Sequence, residues 1–148
     1  DGNDPALRPN QLFAISMGKN LLTKAQAKAV VDVCAEQLVT PRGLRSLGPD
    51  EPDYVGIYEG DFTQRDGSYH QGTVWGWLIG PFVDAHYRVY GDAAAARAYL
   101  EPFAPHLYEH CIGTIAEIFD GDAPHHGRGA VAQAWSVAEV LRVWALLT

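Results

Sequence analysis

Carboxylates are the residues in this sequence with the most chemistry to offer. Glu117 lies in the run Thr114-Ile115-Ala116-Glu117-Ile118-Phe119-Asp120-Gly121. The apolar flanks predict a partly desolvated carboxyl, which is a stronger base than one in open water and points at whatever its loop covers. On composition alone a plain surface-loop glutamate is the better-supported reading. Asp61 and Asp66 stand in a second polar stretch. Either suits a hydroxyl ligand, although loop aspartates mostly shape turns. His106 and His110 have the i, i+4 spacing that places two imidazoles on one helix face. There is no H-E-x-x-H and no evident third ligand, so a solvated helix face is expected there and no metal. Cys34 falls on the apolar side of its helix, a poor place for a nucleophile. No G-x-S-x-G elbow and no phosphate-binding glycine loop is present, and nothing calls for a cofactor.

The elements that must position these groups read as helices. Asn10 to Met17 predicts a short helix after Pro9. Thr23 and Gln26 form a capping box, and Ala27, Val30, Val31, Cys34 and Leu38 follow at helical spacing. Lys28, Asp32 and Glu36 line another face, and Thr40-Pro41 should end the helix. Glycines and prolines punctuate residues 40 to 72, so no long helix fits there; a long polar loop is expected. Thr73 to Tyr90 is apolar nearly all round and predicts a buried helix bent at Pro81. Asp92 should cap the next helix, which runs towards Cys111 and is kinked or split by Pro102 and Pro105. A Gly- and His-bearing loop, 113 to 128, precedes a final, largely buried helix from about Gly129 to Leu147. No stretch alternates over strand length. The expected class is all-α, with residues 1–148 forming one unit and the two polar loops at the same end of the helices.

Bulk properties narrow the function. The net charge is -7 and the pI about 5.2, without a Lys/Arg cluster, which disfavours nucleic acid or an anionic membrane as partner. Four Trp and seven Tyr are many for 148 residues, and rings beside polar groups are how proteins hold sugars; the same rings also pack cores. Cys34 and Cys111 are too few for a disulfide framework. With no N-x-S/T sequon, leader or spanning apolar run, a cytoplasmic location is expected. The abrupt opening at Asp1 suggests a segment of something longer.

The run from Asp66 to Phe82, Asp-Gly-Ser-Tyr-His-Gln-Gly-Thr-Val-Trp-Gly-Trp-Leu-Ile-Gly-Pro-Phe, closely resembles the signature of the amylo-α-1,6-glucosidase domain of glycogen-debranching enzymes. Three further segments match in order: Leu7 to Gln11, Thr40 to Leu47 and Ala132 to Glu139. Gly76 departs from the family, which usually has proline there. The resemblance implies a toroid of six helical hairpins related to that of glucoamylases, of which this chain is about the second half. It also implies an inverting glycosidase, in which an acid and a base stand roughly 6.5–9.5 Å apart. Glu117, in a Glu-x-(Tyr/Phe)-Asp setting in the last inter-helix loop, would be the general base. Tyr69, His70, Gln71, Trp75, Arg42 and Asp61 would line the sugar site. Glycogen or a branched α-glucan would be the partner. The acid would lie outside these residues, so the fragment alone should be inactive, and faces left bare should self-associate. The alternatives are a non-catalytic glucan- or partner-binding helical protein, or another α/α-toroid glycosidase of the glucoamylase or trehalase type.

Overall fold

The computed structural model describes residues 4–18, 21–110 and 112–148. Arg8 leads into a 3-10 turn, Pro9–Leu12, and α1 (Phe13–Ser16) continues it. The capping box at Thr23 forms as expected. Gln26 N donates to Thr23 Oγ1 at 3.3 Å and Thr23 N donates to Gln26 Oε1 at 3.0 Å, which satisfies two free donors at the start of α2 (Lys24–Gln37). α2 buries Val31 and Cys34 and keeps a Lys28–Asp32 ion pair of 2.6 Å on its wet face. It ends at Gln37, before Thr40-Pro41, because Val39 and Thr40 are taken into a sheet.

The all-α expectation holds in part: the chain is mostly helical, with a small antiparallel sheet that the sequence did not show. Strands β1 (Val39–Thr40), β2 (Gly43–Arg45), β3 (Val74–Trp75), β4 (Ile118–Phe119) and β5 (Gly127–Arg128) lie in this order, every neighbouring pair antiparallel. None exceeds three residues, so none is long enough to show alternation. Val74 pairs with Arg45 on one side and with Phe119 on the other.

The helix expected over 73–90 is therefore three elements. Val74 and Trp75, β-branched and aromatic, form the central strand, then a 3-10 turn (Gly76–Leu78) leads into α4 (Ile79–Tyr90). Pro81 sits in the first turn of α4, where its missing N–H has no helical partner to lose, so it starts the helix and does not bend it. Ile79 to His86 are all buried, and α1, α2, α5 (Ala93–Ala98) and α7 (Ala134–Leu146) pack around α4. Asp92 caps α5, its Oδ1 accepting from Ala95 N at 2.9 Å. Pro102 precedes α6 (Phe103–His106), so the expected split is real; Cys111 lies outside the described residues.

The polar stretch 40–72 also holds α3 (Phe62–Ser68), seven residues started by a second capping box, Asp61 with Gln64. At the other end, the last helix is shorter than expected. α7 (Ala134–Leu146) begins after residues that pair backwards, Gln133 N donating to Ile115 O at 2.9 Å. It is also wetter than expected: Ser136 and Val143 are buried, whereas Trp135, Leu141, Trp144 and Leu146 are exposed. Phe82, Phe119, Leu12, Leu44, Ile79 and Val74 are among the fully buried side chains of a single core cluster. No described helix is long and apolar enough to cross a membrane.

Candidate active site around Glu117

Glu117 immediately precedes β4, and backbone pairing locks it there. Glu117 N donates to Ala130 O at 2.9 Å, one residue out of the β4–β5 register, with Gly129 at positive φ taking up the extra residue. On the other side, Gly76 N approaches Glu117 O at 3.5 Å. The side chain is half-buried. Its Oε2 accepts from Ala130 N at 2.8 Å, and its Oε1 accepts a short bond from Tyr69 Oη. Two donors on two oxygens fix the carboxylate plane. Gly129 adds a steric limit: its φ is +65°, and a Cβ there would stand 2.5 Å from Oε2. Burial first, and the Glu117 bond second, push the Tyr69 phenol well above its ordinary range, so Tyr69 stays a neutral donor.

Tyr69 ends α3 and packs among aromatic rings. Tyr58 lies 5.8 Å away, His70 5.0 Å and Trp75 4.7 Å between ring centres. Trp75 Nε1 donates to Tyr69 O at 3.2 Å. The His70 imidazole lies parallel to Trp75 at 5.1 Å, with only 2° between their planes. Trp135, on the first turn of α7, meets Trp75 edge-on at 6.2 Å and stacks on Trp77 at 5.5 Å. His70, Trp75, Trp77 and Trp135, with Arg8, Asn10 and Ser46, line a cavity of about 270 Å³; Tyr69 reaches it through its packing on His70 and Trp75. A space walled by aromatic faces with a few polar groups at its rim is the usual form of a small-ligand site.

The two polar loops, 40–72 and 113–128, are bonded to each other. Asp120 is 1% exposed and accepts from Arg128 Nε and Nη2 at 3.1 and 3.0 Å and from Tyr58 N at 2.9 Å. Tyr54 Oη donates to Asp122 at 2.9 Å, and Asp122 N to Gly56 O at 2.9 Å. The loop over 54–58 is thus stitched to the loop that follows Glu117.

The site residues expected from sequence divide into two groups. Glu117, Tyr69, His70 and Trp75 come together. Gln71, Arg42 and Asp61 are occupied elsewhere. Gln71 Oε1 accepts from Arg8 Nη2 at 2.8 Å. Arg42 donates to Pro102 O at 2.9 Å and to Glu109 at 2.5 Å. Asp61 caps α3 through Gln64 N at 3.0 Å. Sequence reasoning missed Trp135 and Gly129 as parts of the site. For Trp135 a signal existed, since it falls in the Ala132–Glu139 segment; for Gly129 nothing short of the backbone angle would show it. His106 corrects a further expectation. It is buried, not on a solvated face, and its Nε2 accepts from Ala116 N at 3.2 Å.

A sequence profile described as Amylo-alpha-1,6-glucosidase matches residues 1–142. The chain belongs to this family. It is also 31% identical, over 114 residues, to the glycogen debranching enzyme of Saccharomyces cerevisiae. That match covers 72% of this chain and 7% of the yeast protein's length. All the residues gathered around Glu117, from Arg8 to Trp135, fall within the span that the amylo-alpha-1,6-glucosidase profile covers.

Proposed function

We propose that this chain supplies one side of the active site of a glycoside hydrolase that removes α-1,6-linked glucose from a branched α-glucan. The observation that carries the reading is the Glu117 carboxylate, held by Tyr69 Oη and Ala130 N, with Tyr69 packed against His70 and Trp75, two of the rings that line the aromatic cavity. In this reading Glu117 is the general base. It takes a proton from the attacking water while an acid on the opposite face of the bond protonates the leaving oxygen, and the anomeric centre inverts. That acid comes from a part of the longer protein outside this chain, in a ring of helical hairpins of which these helices form about half. His70 and Trp75 bear on the sugar. Gln71, Arg42 and Asp61 act behind them, holding Arg8, α6 and α3 in place.

The test uses the longer protein that contains this chain, with a branched limit dextrin as substrate. Glu117→Gln keeps the shape of the side chain and removes its basicity, and kcat should fall about 10²-fold or more with little change in thermal stability. The first glucose released should be the β-anomer, read by NMR before mutarotation. Retention of most activity, or release of the α-anomer, would overturn the assignment.

A further inference from the structure

His106 takes no part in the chemistry above, yet it touches the Glu117 loop on both sides of the carboxylate. Its Nε2 accepts the N–H of Ala116, the residue before Glu117, at 3.2 Å. Its ring meets Phe119, two residues beyond Glu117, edge-on with 4.8 Å between centres. His106 is 2% exposed and Ala116 fully buried, so water cannot substitute for this bond. A ring nitrogen that accepts an amide proton must be bare, which puts the imidazole's own proton on Nδ1.

We propose that His106 is a positioning residue for Glu117: its neutral imidazole holds the Ala116 N–H and so sets where the Glu117 carboxylate stands relative to Tyr69 and the aromatic cavity. The proposal rests on the reading of Glu117 as the base. Protonated, the ring would have no lone pair left, and two N–H donors would face each other in a buried space. The charged and titratable groups around it are Arg42, from the turn between β1 and β2, and Glu109 and His110, which follow α6. Burial foremost, then Arg42, pushes the imidazole down to about 4, while Glu109 acts in the opposite sense. Arg42 is itself pinned between Pro102 O and Glu109, so its charge stays near the ring. The lone pair is therefore free to accept at neutral pH.

The experiment again uses the longer protein. His106→Leu fills the space without an acceptor, and His106→Gln returns one through Oε1 at the same reach. We expect His106→Leu to lower kcat about tenfold or more with KM changed little, and His106→Gln to recover most of it. Combined with Glu117→Gln, His106→Leu should lower kcat no further, because residues that act as one unit are not additive. A merely structural role would subtract again in that background. Wild-type kcat in His106→Leu, or a second fall in the double variant, overturns the proposal. If His106→Leu does not fold, a tenfold loss in folded His106→Gln does the same. An active Glu117→Gln single variant would instead refute the base assignment.

Discussion

Substituting Gly129 by alanine separates two effects that usually arrive together. The residue sits at φ +65°, where a side chain costs about 1–2 kcal/mol of backbone strain. The new Cβ would also stand 2.5 Å from Glu117 Oε2 and 3.0 Å from Ile118 Cγ1. The first distance falls nearly 1 Å short of the 3.4 Å at which ordinary contact begins, and the carboxylate, at the end of a flexible side chain, is the part that gives way. Its retreat strains the bonds from Ala130 N and Tyr69 Oη. A bond to a charged group is worth about 1.5–3 kcal/mol, and misplacement approaching 1 Å at a reacting group lowers turnover by up to about 10²-fold. Gly91 supplies the control. It has φ +69°, and nothing lies within 4 Å of a Cβ placed there. In thermal unfolding of the longer protein Gly91→Ala should show the backbone strain alone, and Gly129→Ala that strain plus the cost of the displaced carboxylate. Only Gly129→Ala should lower kcat, by about 10- to 100-fold, in a glucose-release assay at saturating dextrin. Equal kcat in the two variants would refute the argument that Glu117 is held at its working position by the absence of a side chain at 129.

Three further outcomes are expected. Tyr69→Phe removes one of the two donors to Glu117 and should lower kcat about tenfold or more, with glucan affinity, measured by calorimetry, nearly kept. Arg128→Ala strips the ion pair from buried Asp120 and should destabilise the protein by about 3 kcal/mol, seen as a lower denaturant midpoint; a change below about 0.5 kcal/mol would mean that water replaces the guanidinium. Thr23→Ala removes half of an exposed capping box far from the cavity and should lower stability by about 1 kcal/mol, with kcat unchanged.

The helices were legible wherever local chemistry decides them. The capping box at Thr23, the Asp92 cap and the apolar spacing of α2 and α4 depend on residues a few places apart. The sheet was not legible, because its strands carry two or three residues each and their partners lie far along the chain. Val74 and Trp75 therefore read as part of the helix that follows them. The last helix was overextended for the same reason, since Ala130 and Gln133 are held by Glu117 and Ile115. Glu117 stood out by its apolar flanks, and Tyr69, His70 and Trp75 by the motif that contains them. Their contacts did not, since Tyr69 reaches Glu117 across 48 residues of chain. Arg42 and Asp61 show the opposite failing: polar loop residues looked like ligands while their side chains were committed to closing the fold.

The central position of β3 has a kinetic consequence. Glu117 meets Ala130 within one short hairpin, but the sheet step that brings β3 and Tyr69 to it forms only when Val74 meets Phe119, with all of α4, α5 and α6 intervening. Closing so long a loop loses chain entropy before any bond repays it, whereas α2 and α4 can form from neighbours alone. The carboxylate thus meets Tyr69 late in folding, through a few backbone bonds that mature helices must first bring into range. Mild destabilisation should release those bonds while the helices persist. Turnover would then fail at temperatures where helical circular dichroism is still intact, and the gap between the two curves would measure how weakly the loop is fastened to its scaffold.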